Sequence, residues 1–171
     1  MLVTKQNFNR ACDVLQDLSI VTRYVMAAFS QADPEQYKRL GRVYDWRVQT
    51  LRSQKAMAAV DPGMWFEGRE LQFNRFSLAH FDIQDPHWGW VIIIYYGTFG
   101  CCTLELRQLK VKVTLRPGDQ VMFRGRDVLH EVKDWVSGER HLLVHFTHKS
   151  IWDQAKVKCK SGPAVWAQVS T

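Results

Sequence analysis

The chain has 171 residues, about one domain by the usual length prior, enough to bury a core without disulfide or metal staples. Its 46% hydrophobic and 12% aromatic content excludes a disordered chain, and no apolar run approaches the roughly 18 residues needed to span a bilayer, so no membrane partner is expected. A net charge of +6 admits polyanionic partners, because neutralised phosphates release counterions. Cys12, Cys101, Cys102 and Cys159 show no CxxC spacing, which points to reduced thiols in an intracellular protein rather than a zinc site or disulfide framework.

From Phe8, apolar residues recur at Cys12, Leu15, Leu18, Val21, Val25 and Phe29, and this spacing predicts a helix over 4–31. Asp33-Pro34 supplies an N-cap followed by proline at the first helical position; Tyr37, Leu40, Tyr44, Val48 and Leu51 then stripe a second helix ending near Ala59. Lys38, Arg39, Arg42, Arg47, Arg52 and Lys55 occupy its other positions, as a solvated face or a phosphate-binding one. After Asp61-Pro62-Gly63 the pattern changes to short apolar runs broken by turn residues, predicting strands near 71–76, 79–84, 88–96, 102–106, 111–115, 120–124, 129–135 and 139–148. Such short strands behind a helical third predict an α+β chain whose core is a double-stranded β-helix, or jelly roll, with N-terminal supporting helices. One domain over 1–171 is expected: a helical buttress over 1–60, a jelly-roll catalytic core over 61–150 and an irregular segment over 151–171.

His80-Phe81-Asp82 falls on a predicted strand, where residues two apart face the same way, so imidazole and carboxylate can share one metal. Two histidines and one carboxylate on one face of iron leave positions open for a cosubstrate and dioxygen, the arrangement of non-haem Fe(II) oxygenases. His130, beginning a late strand, is the candidate second histidine; a satisfied core histidine is the alternative. Arg140 opens the last predicted strand, and its guanidinium fork suits the distal carboxylate of 2-oxoglutarate, although a surface arginine there reads equally well. Strand parity puts Leu142, Val144, Phe146 and His148 on the Arg140 face and turns His141, His145 and Thr147 away, which speaks against His145 as an iron ligand.

Four segments together carry a family resemblance: Asn74-Arg75-Phe76 leading to His80-Phe81-Asp82, Leu115-Arg116-Pro117-Gly118-Asp119, Leu129-His130, and Gly138-Glu139-Arg140 through His148. In these the sequence resembles the TET/JBP branch of 2-oxoglutarate dioxygenases, which oxidise methylated pyrimidine bases, and in particular its compact fungal and protist forms. The resemblance spans about residues 71–148. It implies Fe(II) held by His80, Asp82 and His130, the cosubstrate 2-oxoglutarate held by Arg140 with Arg75 as a second contact, and dioxygen as oxidant. It further implies base reading by Asp85, Val144, Phe146 and His148. The alternative for these makes Asp85-Pro86 a turn, Phe146 a core residue and His148 a strand-end surface histidine. Where the family often has paired glycines after the third strand, this chain has Gly100-Cys101-Cys102.

The expected activity is therefore oxidation of a methylated nucleobase, with 5-methylcytosine in DNA foremost, DNA favoured over RNA as partner, and a nuclear location. The same hydroxylation chemistry on a protein side chain or small metabolite is the alternative, and a binding module that has lost turnover is a third. Oligomeric state is left open.

Overall fold

In the computed structural model, which describes residues 5–158 and side chains from Asn9 onward, helices precede an antiparallel β core. The described residues fall into two compact units, one running to Phe66 and including Ala155–Val157, the other Glu67–Gln154.

The first unit contains α1 (Lys5–Asp17), α2 (Ser19–Ala32), α3 (Pro34–Thr50) and α4 (Arg52–Val60). The two predicted helices are thus four. Leu18 stays near helical geometry (φ −78°, ψ −4°) and marks only a local interruption, whereas Leu51 is extended (φ −108°, ψ 110°) and ends α3 outright. Asp33 caps α3 as predicted, its side chain accepting from Gln36 N at 2.9 Å, with Pro34 opening the helix. Arg47 departs from the solvated face expected for it: it is buried, and its guanidinium donates to Trp65 O at 2.9 Å and to Gln54 Oε1 at 2.5 Å. Phe29, Tyr37, Tyr44, Trp65 and Phe66 form an aromatic cluster in the same unit.

The second unit contains β1 (Gly68–Phe73), β2 (Ser77–His80), β3 (Val91–Gly97), β4 (Cys101–Leu106), β5 (Val111–Leu115), β6 (Gln120–Phe123), β7 (His130–Val132), β8 (Trp135–Val136), β9 (Arg140–Phe146) and α5 (Lys149–Gln154). One sheet has the order β1-β9-β3-β6 and the other β2-β7-β4-β5, with β8 added beside β4. The chain steps from one sheet to the other except at the β4–β5 hairpin and the short β7–β8 segment, and this is the double-stranded β-helix, or jelly-roll, topology.

Between the sheets, Val91, Ile93, Tyr95, Leu104, Leu106, Leu115, Phe123, Val132 and Leu142 form one buried cluster, the inward half of a strand-by-strand alternation. Strand β9 is interior to its sheet, paired with β1 from Gly68↔Phe146 to Phe73↔His141 and with β3 from Ile92↔His145 to Gly97↔Arg140. This register places Val144 beside Ile93 and Leu142 beside Tyr95 on the inner face.

Several predicted boundaries differ: the strand expected at 71–76 is β1, the one at 88–96 is β3, and the one at 129–135 divides into β7 and β8. β2 stops at His80, so Asp82 lies in the following loop, because its backbone N–H donates to Gly125 O at 3.0 Å instead of to a ladder partner. The segment from Ile151, expected to be irregular, is helical through Gln154: Trp152 is buried, and Lys149 pairs with Asp153 at 2.5 Å one turn on. The remainder of that expectation, from Cys159, lies outside the described residues.

Candidate metal centre and its cavity

His80 and His130 are direct cross-strand partners of β2 and β7, which sets their rings 4.2 Å apart between centroids. The loop after β2 returns Asp82 to them: Asp82 Oδ1 is 3.5 Å from His80 Nε2 and Oδ2 is 3.9 Å from His130 Nε2. One ligand atom from each of the three lies within 4.8 Å of the others. The strand parity argued from sequence does not make this arrangement, since a loop rather than a shared strand face delivers the carboxylate.

The imidazoles are oriented for a metal. His130 Nδ1 contacts Val128 O at 2.8 Å and His80 Nδ1 contacts Leu78 O at 2.7 Å. A carbonyl only accepts, so both Nδ1 atoms carry the proton and both Nε2 atoms present lone pairs to the space beside Asp82. Backbone carbonyls in this role are the usual outer partners of metal-bound histidines. Burial lowers the His130 pKa, the His80 imidazole adding to this and the Val128 carbonyl and Asp82 opposing it. Two neutral imidazoles and a carboxylate fit Fe(II) with open positions.

Gly125 was read from sequence only as punctuation, yet a Cβ there would lie 1.9 Å from Asp82 Oδ2. It holds the space the carboxylate occupies. The signal available in sequence, a glycine between two arginines after β6, did not distinguish this from an ordinary turn.

A cavity of about 310 Å³ opens beside the three residues. Asp85, Val144, Phe146 and His148 all line it, together with Ile93, Tyr95 and Leu142 from the inner face. Asp85 is buried; that burial, reinforced by the Asp82 and Glu67 carboxylates and opposed by Arg126, pushes its carboxyl up to about 7. Phe146 packs across Gly68, where a Cβ would come within 2.3 Å of its ring, and stands 4.9 Å from the His148 imidazole. The sequence reading missed Glu67, whose carboxylate meets His148.

Arg140 is 1% exposed, which rules out the surface arginine considered for that position. Its backbone is clamped by Asn74, which donates to Arg140 O and accepts from Arg140 N through Oδ1, both at 2.8 Å. The guanidinium lies 5.0 Å from the Trp135 ring centroid and donates from one terminal nitrogen to Arg75 O, leaving Nε and Nη1 buried without a partner. Such orphaned donors suit a carboxylate. Neither Arg140 nor Arg75 is among the described residues lining the cavity; the Arg75 side chain is exposed and sits 3.9 Å from Glu70.

His145 points away from the inner face and is brought to none of these groups. Burial pulls its imidazole down to about 3, the Arg69 charge adding to the effect. Cys12, Cys101 and Cys102 are free thiols. Among the described residues no helix is long and apolar enough to cross a membrane.

No family model matches the chain. A curated relative, Tet-like dioxygenase 1 of Naegleria gruberi, is 39% identical over 59 residues, which covers 33% of this chain and 18% of that protein. Among solved structures, NgTET1 in complex with 5mC DNA superposes with a TM-score of 0.62 at 21% identity, covering 86% of this chain and 53% of that one. The chain thus spans about half the length of that structure and matches a smaller share of the curated relative. A cupin 2 conserved barrel domain protein from Salinispora arenicola aligns at a TM-score of 0.36 and 11% identity, over 52% of this chain and 68% of that one. The resemblance to the TET/JBP-like dioxygenases is therefore present both in fold and in a stretch of sequence.

Proposed function

We propose that this chain is an Fe(II)- and 2-oxoglutarate-dependent dioxygenase that oxidises a methylated nucleobase, 5-methylcytosine in DNA. The observation that carries this is the convergence of His80, Asp82 and His130 beside a cavity walled by Asp85, Val144, Phe146 and His148. A curated protein sharing a stretch of this sequence is named a Tet-like dioxygenase, and a structure of the same fold was solved with 5mC DNA, which supports the reading.

His80, Asp82 and His130 would hold the iron, which when bound supplies dioxygen-dependent oxidation coupled to 2-oxoglutarate. Arg140 would hold the distal carboxylate of 2-oxoglutarate with the two donors now lacking partners, and Arg75 lies next to it through its carbonyl. Chemistry on a base in a duplex requires extruding it into a pocket and reading its edge. Phe146 offers a stacking surface, Asp85 an acceptor for the cytosine exocyclic amine, His148 a hydrogen-bonding edge, and Val144 an apolar contact for the methyl group. Tyr95, Ile93 and Leu142 line the same space from the inner face of the sheet. A DNA substrate goes with a nuclear location.

Mass spectrometry of nucleosides after incubating the full chain with Fe(II), 2-oxoglutarate and 5-methylcytosine oligonucleotides tests this. Oxidised 5-methylcytosine that requires both additions is the expected result. Turnover of 2-oxoglutarate with no preference for methylated over unmethylated oligonucleotides would instead direct attention to a protein side chain or metabolite substrate.

A further inference from the structure

Among the described residues that line the cavity, one apolar side chain lies mostly in solvent. Ile83 is 72% exposed, whereas Val91, Ile93, Tyr95, Leu104, Val132 and Leu142 of the same lining are buried. A side chain that lines a cavity and is still mostly in solvent stands at its mouth. Here that is the loop joining Asp82 of the metal centre to Asp85 of the base cavity.

The backbone around Ile83 is braced. Asp82 N donates to Gly125 O at 3.0 Å, Ile83 N to Phe81 O at 2.9 Å, Asp85 N to Asp82 O at 3.0 Å, and Lys149 N to Gln84 O at 2.9 Å. The Arg126 guanidinium donates to Ile83 O. These contacts tie the loop after β2 to the β6–β7 loop and to the start of α5, so Ile83 is held out at a fixed place. Single exposed aliphatic residues are ordinary on protein surfaces. What marks this one is the combination of a fixed backbone and a position on the rim of the cavity.

A base reaches such a cavity from a duplex only by leaving the stack, and its departure opens a gap between its two neighbours. Proteins that open base steps insert Ile, Leu, Phe or Met there, where apolar surface stands in for lost stacking. Arg126, bonded to the Ile83 carbonyl, adds a cation at the foot of the same tip, and a phosphate backbone is the partner that charge suits.

Resting on the function proposed above, we propose that Ile83 is a wedge: it enters the base stack of duplex DNA where the target pyrimidine has left, and so makes the site competent on a duplex and not only on a single strand.

The test uses the full chain, Ile83→Ala and Ile83→Leu, with matched single-stranded and duplex oligonucleotides carrying one 5-methylcytosine. Ile83→Ala should lower the ratio of duplex to single-strand affinity about 10-fold, the scale of burying an aliphatic side chain, and Ile83→Leu should restore most of it. In the duplex, 2-aminopurine beside the 5-methylcytosine brightens when its neighbour leaves the stack, a readout that needs no turnover. At saturating protein the parent should produce this rise and Ile83→Ala should largely lose it. Equal losses on single strand and duplex would mean that Ile83 acts by placing Asp82, and overturn the proposal. So does an unchanged affinity ratio in Ile83→Ala, or a parent that gives no fluorescence rise. 5-Methylcytosine oxidised only in single strands overturns the wedge and leaves the proposed function standing. If the parent oxidises no 5-methylcytosine at all, that function fails, and the fluorescence still decides the role of Ile83.

Discussion

His130 and His145 are both buried, and each sits on a central strand, β7 between β2 and β4 and β9 between β1 and β3. Burial disfavours the imidazolium in both. What separates them is the surroundings of the second ring nitrogen. His130 Nε2 faces Asp82 at 3.9 Å beside a second imidazole, with Nδ1 already engaged by Val128, whereas His145 lies next to the cationic Arg69. A buried histidine is thus a ligand candidate when its lone pair converges with other donors, and burial alone does not make it one.

Exchanging the two roles is the sharpest way to break this contrast. His130→Ala should lower Fe(II) affinity by more than about 100-fold, since losing only an outer partner of a metal ligand costs roughly 10–100-fold. Chelator competition and 2-oxoglutarate consumption both read this. His145→Gln should leave both near the parent values; iron lost from the His145 variant and kept by His130→Ala would reverse the assignment.

Next in size is Arg140→Lys. The buried guanidinium has two donors without partners, and a lysine ammonium cannot reproduce that planar fork. The half-saturating 2-oxoglutarate concentration should rise about 10-fold or more, the scale of a charge-assisted bond. An unchanged requirement would remove Arg140 from cosubstrate binding and leave it as a clamp for the Asn74–Phe76 turn.

Gly125→Ala follows. The backbone there tolerates alanine, but the new Cβ would sit 1.9 Å from Asp82 Oδ2, so the carboxylate must move. Iron affinity should fall about 10-fold, as for a disturbed ligand support, with a small change in Tm. Parent-like affinity would show that Asp82 reaches the metal from another rotamer.

These contrasts also show what was legible in the sequence and why. His80 could be chosen through its His-x-Asp spacing and His130 because it begins a late strand, both matters of local pattern. The β9 alternation was readable for the same reason: Val144, Phe146 and His148 do line the cavity. Asp82 was assigned to the right cluster through the wrong geometry, because the Asp82 N–H to Gly125 O contact joins residues far apart in sequence and has no local signature. Glu67 and Gly125 escaped notice on the same ground, each acting on a residue distant in the chain. Leu51 ends α3 within an apolar stripe that continues across it, so periodicity ran through the break. Arg47 was grouped with solvated cations because composition shows charge and not the Trp65 carbonyl it reaches.

The smallest expected effect on turnover, and a further test of the contrast, lies in the acid side of the stability profile. The His145 imidazole is held down to about 3 in the folded protein, against about 6.5 for an unperturbed histidine. Above that upper value the ring is neutral in both states and contributes no pH dependence. Between the two values the unfolded chain binds a proton that the folded protein does not, so stability falls as pH falls, by at most about 1.4 kcal/mol per pH unit. His145→Gln removes this slope. At pH 7 the variant should be the less stable, through lost packing around a ring that is 1% exposed. On acidification the parent loses more than the variant, and the gap between them should close by about 1.6 kcal/mol between pH 6.5 and 5. Urea unfolding of both proteins at matched pH values measures that gap directly, and because it is a difference, the titration of His130 and of the carboxylates cancels to first order. A gap that stays constant across this range would mean that His145 binds protons alike in both states, and the distinction drawn between a liganding and a core histidine would then rest on His130 alone.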